Sequence, residues 1–341
     1  QTNSQAGQAF VEIVTTQVLF SFGEFGSALA HAQEALGIAT AIEHQQWIVA
    51  TYNALGQLYV LMCEPALAIS ALDAGLAGAR TLGSAFWVRN LTSYLALAYI
   101  LKQEFSRAET ALKTVMPREH SPSNLGERQV ARVWGELALA QGEPRRALQV
   151  AEQLLVTMPG EVRQQPIPHL LALKGEALLA LKRLEEAAHT LEDAKLGAQQ
   201  RQTPPVLWRI HRSLGRVYQL LKCEDQAQQE IASAREIISV LAGTIDQTYL
   251  CEHFVQAALQ SFPAQKPLLA RRAASETFGG LTEREIEVLR AVAQGLTDIQ
   301  VAEQLVISHR TVHSHLNSIY SKLGITSRSA ATRYAIEHDL A

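Results

Sequence analysis

Near the C-terminus, Arg310, His313, Ser314, Asn317 and Ser321 recur at one-turn spacing, so a helix through them would present all five on one face. Every one of them can donate a hydrogen bond and none is acidic. Such a face can meet base edges or phosphates without repelling a nucleic-acid backbone. A face meant only for water would carry Glu and Lys. The opposite side reads Val312, Leu316, Ile319 and Leu323, one apolar stripe for a core. His309 and His313 stand at a spacing able to hold a metal, but no third ligand has a convincing place nearby, and no metal is expected. The chain contains no G-x-x-x-x-G-K-S/T loop, G-x-G-x-x-G, G-x-S-x-G or H-E-x-x-H, so no catalytic residue and no nucleotide turnover are expected of it.

The elements that must position this face announce their own beginnings. Thr282 and Glu285 form a capping box flanked by the apolar pair Leu281 and Ile286. Thr297 and Gln300 repeat the device between Leu296 and Val301, and Ser308 repeats it in part between Ile307 and Val312. Helices are expected at about 283–294, 298–305 and 309–323, with a fourth from Thr326 or Ser327 to about Glu337. Gly295 ends the first, where positive φ is favoured. Only Val306 and Ile307 separate the second from the third, a turn tight enough for a helix-turn-helix.

The run Leu281–Leu289, Ala293 with Gly295, the series Val301, Ala302, Leu305, Ile307, Ser308, Thr311, Val312, His315, and finally Lys322, Leu323 and Gly324 resemble the LuxR-type signature over 281–341. The resemblance implies a four-helix domain with its third helix in the major groove of double-stranded promoter DNA and its fourth available for homodimer contacts. Carried over by position, His313, Ser314 and Asn317 would face base edges. Thr297, Ser308, Arg310, Thr311, His315, Lys322 and Arg328 would lie near phosphate or fix the recognition helix. The sequence departs from the family at His313, where Lys is usual, and over Thr297–Val301. Residues 281–341 carry six Lys and Arg against seven Asp and Glu. Few cations release few counterions, so weak or dimer-dependent binding with a shallow salt slope is expected.

The first two thirds of the chain repeat. Ala28, Ala68, Ala108, Ala147, Ala187 and Ala227 follow one another at 40, 40, 39, 40 and 40 residues. Four before each stand Glu24, Glu64, Glu104, Glu143, Arg183 and Cys223. Nine before stand Leu19, Tyr59, Tyr99, Ala138, Leu178 and Tyr218. Twelve before, from the second unit on, stand Gly56, Ala96, Gly135, Gly175 and Gly215. Each unit reads as two helices broken by Gly, Pro or acidic residues, as at Gly142, Glu143 and Pro144. One hairpin cannot bury its apolar face alone, so six are expected to stack as a solenoid. The pattern resembles the tetratricopeptide family, in the longer-repeat form of MalT-like regulators. That resemblance implies a sensing surface lined by the first helices and an ATP-binding domain preceding the repeats, with no cofactor in this chain. Candidate groove residues are Asn53, Gln57, Arg89, Asn90, Arg132, Glu136, Arg209, Arg212 and Arg216. Trp47 and Trp87 share one repeat phase; either they stack on a ligand or, as Trp more often does, they pack in the core.

The remaining properties bound the reading. A chain of 341 residues is too long for one core. A net charge of −3 gives no basic footprint, so any DNA surface is local. Three scattered cysteines imply a reducing compartment, and no apolar run reaches a membrane span; a cytoplasmic protein with no membrane partner is expected. The expected fold is all-α: a tetratricopeptide-like helical-hairpin solenoid over 1–240, a terminal helix and linker over 241–280, and a four-helix LuxR-type domain over 281–341. The expected function is a DNA-binding regulator whose repeats sense a small-molecule inducer or a regulatory protein. The alternative is an interaction scaffold with a vestigial or autoinhibited DNA-binding domain.

Overall fold

A computed structural model describes residues 2–157, 167–260, 262, 281, 283–305, 309–325 and 327–338, with Thr2, Asn3, Glu283, Arg310, Ser314 and Glu337 placed by backbone alone. Every regular element among them is an α-helix. Six hairpins come first: α1 (Thr2–Phe22) with α2 (Phe25–Ala41), α3 (Gln45–Leu61) with α4 (Pro65–Thr81), α5 (Ala85–Leu101) with α6 (Phe105–Lys113), α7 (Leu125–Ala140) with α8 (Pro144–Val156), α9 (Pro168–Ala180) with α10 (Leu184–Gln200), and α11 (Pro204–Leu220) with α12 (Glu224–Gly243). Helix α13 (Thr248–Gln260) packs on α12, and the compact unit extends to Pro263.

The sequence columns acquire physical meaning in the turns. Gly23, Cys63, Gln103, Gly142, Lys182 and Lys222 all take positive φ, between 56° and 89°. After each, the N–H of Glu24, Glu64, Glu104, Glu143, Arg183 or Cys223 donates to the carbonyl of Leu19, Tyr59, Tyr99, Ala138, Leu178 or Tyr218, at 2.8–3.0 Å. The minus-four and minus-nine columns are therefore two ends of one backbone bond, which closes each first helix. Acidic residues do not make the break. Their side chains form no cap bond at Glu24, Glu64, Glu104 or Glu143, and the left-handed residue before them reverses the chain instead.

The small-residue columns set how closely helices approach. All six anchor alanines are buried. A Cβ on Gly56 would stand 2.3 Å from Leu72 Cδ2, and one on Gly175 would stand 2.5 Å from Leu191 Cγ. First helices start on recurrent caps: His44 accepts from the Trp47 N–H, Ser84 from the Trp87 N–H, and Asn124 from the Glu127 N–H. The phase shared by Trp47 and Trp87 is thus the third residue of a first helix. Both half-buried rings pack on the cluster of Ile13, Ala35 and Ala50.

The stack closes on itself. Helix α1 meets α11, and Phe20, Phe25 and Leu58 share one core with Trp208, Ile238 and Phe254. At the seam the Gly26 N–H donates to the Thr244 carbonyl at 2.9 Å, while Thr244 Oγ1 accepts from Phe25 and donates to the Gly23 carbonyl. His253 Nδ1 stands 2.7 Å from Glu64 Oε2, and Arg209 Nη2 donates to the Leu61 carbonyl at 3.4 Å. Six hairpins complete a ring.

The second unit, Ala264–Ala341, contains α14 (Glu283–Ala293), α15 (Asp298–Leu305), α16 (His309–Leu323) and α17 (Arg328–Glu337). Its core joins Leu281, Ile286, Leu289, Val292, Val301, Val312, Leu316, Ile319, Ala331 and Ala335. Of the expected linker within 241–280, residues 263–280 lie outside the described residues.

Candidate functional site

Helix α16 has the two-sided character its sequence implies. Val312 and Ile319 are fully buried and Leu316 nearly so, while His313, Asn317 and Ser321 are exposed. Thr311 and His315 lie half-buried at the flanks. The side chains of Arg310 and Ser314, and the whole of Ser308, lie outside the described residues. No acidic side chain interrupts the outward face between His309 and Leu323.

Three sets of bonds brace the helices of this unit. Thr297 and Gln300 form the capping box of α15: the Thr297 N–H donates to Gln300 Oε1 at 2.8 Å, and the Gln300 N–H donates to Thr297 Oγ1 at 3.4 Å. Arg328, in the first turn of α17, bonds Asp298 and the Leu296 carbonyl, which ties α17 to the start of α15. The third set was not visible as such in the sequence. Glu285, on α14 and only 4% exposed, accepts from Ser318 Oγ at 2.6 Å and from Lys322 Nζ at 2.7 Å, both on α16. Its capping partner Thr282 lies outside the described residues. Thr297, Lys322 and Arg328 are thus all engaged within the domain, and of their bonds the one from Lys322 joins α16 to a neighbouring helix. Arg284 likewise pairs with Glu287 and donates to the Leu305 carbonyl at the end of α15.

Inside the ring of hairpins lies a cavity of about 510 Å³, walled by first helices throughout. Four of the eleven candidate groove residues reach it: Gln57, Arg132, Glu136 and Arg209. Arg212 and Arg216 line a second hollow of about 370 Å³ beside Glu176, with which Arg212 pairs at 3.3 Å. The other five line neither. Asn53 is buried, Arg89 faces Glu127 at 3.7 Å, Asn90 is half-buried, Trp47 stacks on His44 with ring centroids 5.2 Å apart, and Trp87 lies edge-on to Phe86. Gln129 and His169 line the main cavity and were missed. His169 follows the helix-starting Pro168, outside any repeat column, so no periodic signal marked it.

Residues 280–335 match the family described as GerE, bacterial regulatory proteins of the luxR family. The chain is 49% identical across 57 residues to the transcriptional regulatory protein YdfI of Bacillus subtilis (strain 168), covering 17% of this chain and 27% of that protein. It is 47% identical over 60 residues to the nitrate/nitrite response regulator protein NarP of Escherichia coli (strain K12), covering 18% and 28%. The chain spans little more than a quarter of the length of these relatives. A solved structure from Podospora anserina, titled a putative kinesin light chain with nearly identical TPR-like repeats, is similar at a TM-score of 0.37 and 20% identity, over 55% of this chain and 92% of that one. Among the described residues, no helix is long and apolar enough to cross a membrane.

Proposed function

We propose that this chain, whose residues 280–335 are a LuxR-family helix-turn-helix domain, is a sequence-specific DNA-binding transcriptional regulator that acts on promoter DNA as a homodimer. The observation that carries this reading is the outward face of α16. His313 and Asn317 stand exposed on a helix whose other side is locked into the core, with no carboxylate among them. Such a helix, entering a major groove, offers His313, Ser314 and Asn317 to base edges and Arg310, Thr311 and His315 to phosphates. Thr297, Lys322 and Arg328 hold it at the required angle. The ring of hairpins serves as the sensing unit, taking a small molecule or a regulatory protein and passing the signal to the DNA-binding unit.

Selection of bound sequences from random duplex DNA, with the whole chain at low salt, tests the reading. Two related half-sites are the expected result. Asn317→Ala should abolish enrichment at one or two positions of the half-site and leave the fold unchanged, and Arg310→Ala should weaken binding to all sequences alike. No enriched motif, or a motif unaltered by Asn317→Ala, would remove the proposal.

One observation favours a second reading, an interaction scaffold with little DNA affinity. Arg284, Lys322 and Arg328 are each paired with a carboxylate of their own domain. The scaffold reading requires that neither Arg310→Ala nor Asn317→Ala change any DNA retention measured.

A further inference from the structure

The cavity inside the ring has a charged wall and an apolar wall, and together they specify a class of ligand. Its volume of about 510 Å³ lies in the range of sites that enclose drug-sized molecules. Phe20, Val60, Leu97 and Ile100 supply apolar surface. Gln129, Arg132, Glu136, His169 and Arg209 supply the polar wall, on α7, α9 and α11.

The charges on that wall do not cancel. Arg132 donates to Glu136 and, through Nε, to Gln129 Oε1 at 3.2 Å, which engages the one carboxylate of the wall. Arg209 donates to the Pro205 carbonyl at 2.9 Å and to the Leu61 carbonyl and Cys63 Sγ at 3.4 Å; among the described residues it has no carboxylate partner. Two guanidinium groups therefore face one carboxylate. Their field reaches the neighbouring imidazole: the enclosing walls, then Arg132, Arg209 and Arg201, hold the pKa of His169 below the usual imidazole range. Gln129 Nε2 adds a buried amide donor with no hydrogen-bond partner, a group that stays costly until something accepts from it. Excess positive charge, an unmet donor and an apolar wall converge in one cavity.

We propose that this cavity binds a small monoanionic molecule with an apolar body, its anionic group facing Arg209 and Arg132 and accepting from the Gln129 amide. The site is that of the sensing step proposed above, and its regulatory meaning rests on that reading.

A matched pair of fluorescent probes tests the site. 1-Anilinonaphthalene-8-sulfonate carries an anionic group on an aromatic body, and N-phenyl-1-naphthylamine carries the same body without the charge. The whole chain should bind one equivalent of the sulfonate at least ~10-fold more tightly than the neutral amine, the scale of one charge-assisted hydrogen bond. Arg209→Gln should remove that preference and leave the amine's binding within about twofold, while Arg209→Lys should retain most of it. Because Arg209 also bonds the Leu61 carbonyl at the ring seam, Gln129→Met supplies a variant away from the seam. It should weaken the sulfonate alone. Equal binding of the two probes, or a preference that survives both Arg209→Gln and Gln129→Met in folded protein, would overturn the site. Titrating selected DNA with and without the sulfonate then separates the two claims. A charge-dependent site that leaves DNA affinity unchanged keeps the site and defeats the sensing reading, whereas absence of charge-dependent binding defeats the site whatever the DNA result.

Discussion

The Gly26 N–H donates to the Thr244 carbonyl at 2.9 Å, joining the second helix of the chain to the residue that caps the twelfth. A Cβ added at Gly26 would stand 2.1 Å from that carbonyl oxygen. Backbone blocks the space, so the methyl group has to move the seam. Gly26→Ala should cost the helical unit about 1–3 kcal/mol, the usual scale of overpacking. At Gly7, on the exposed side of α1, a Cβ would meet nothing within 4 Å, and Gly7→Ala should be neutral or slightly stabilising. Urea unfolding followed by tryptophan fluorescence reports the difference, because Trp47, Trp87, Trp134 and Trp208 all lie in this unit. Equal midpoints for the two variants would mean the ring does not depend on this seam.

How much of this was legible from sequence depends on the range of the interaction. The hairpins were legible because Ala anchors and Gly columns mark local packing between adjacent helices. The turns were half legible: the columns flagged residues on both sides of each reversal, but Cys63, Gln103, Lys182 and Lys222 adopt positive φ without being glycine, and nothing in their residue types signals it. Closure was not legible at all. It follows from a small rotation accumulated over six repeats, and no single column encodes that rotation. Hence the groove was read as one open surface, while Arg209 in the sixth hairpin in fact meets Leu61 in the second. The C-terminal unit was legible nearly to the residue, since stapled helix starts are local signals. What escaped notice there was that the Glu285 carboxylate, read only as a helix cap, bonds α16 across 33 and 37 residues of sequence.

Glu127 makes the helical unit sensitive to acid. Its carboxylate accepts from the Ser123 N–H at 2.9 Å and from Ser123 Oγ at 2.8 Å, and these bonds lower its pKa from 4.5 to about 2. A carboxyl depressed in the folded state contributes stability that is fully present above its unfolded value and is lost as pH falls through the folded one. The contribution therefore fades between about pH 4.5 and pH 2. Glu127→Gln should lower the urea midpoint at pH 7 and flatten its fall across that window. If wild type and variant lose stability in parallel below pH 4.5, the bonds to Ser123 are not what holds the start of α7.

Lys322 invites two readings that one pair of measurements separates. As a phosphate contact, its removal would reduce the salt slope of DNA binding by about 1 and leave stability alone. As the partner of Glu285, its removal takes a cation away from a carboxylate that is 4% exposed. Lys322→Met should then cost the C-terminal unit about 2 kcal/mol, less than a fully buried pair because the ammonium is partly solvated. The salt slope should not change. Replacing both partners, Glu285→Leu with Lys322→Met, should recover much of the loss, since the desolvated charge is gone. A changed slope with an unchanged melting temperature would assign Lys322 to the DNA.

The same pairing limits how strongly the domain can grip a duplex. Of the six Lys and Arg in 281–341, Arg284, Lys322 and Arg328 are held by Glu287, Glu285 and Asp298. Counterion release scales with the phosphates neutralised, at a slope of about −0.9 for each in double-stranded DNA. If Arg290, Arg310 and Arg333 all reached phosphates, the slope would be no steeper than about −3 for one domain, and about −5 for a two-domain complex on paired half-sites. Specificity must then come mainly from hydrogen bonds made by uncharged groups on α16, which salt does not screen. Mismatches opposite Asn317 should accordingly cost the same factor at low and high salt, while total affinity falls only modestly. Binding isotherms at several salt concentrations, on the selected site and on single-base variants, check both parts. A slope near −10 would show that residues outside α14–α17 neutralise the backbone, and would move the search for phosphate contacts to the linker within 241–280.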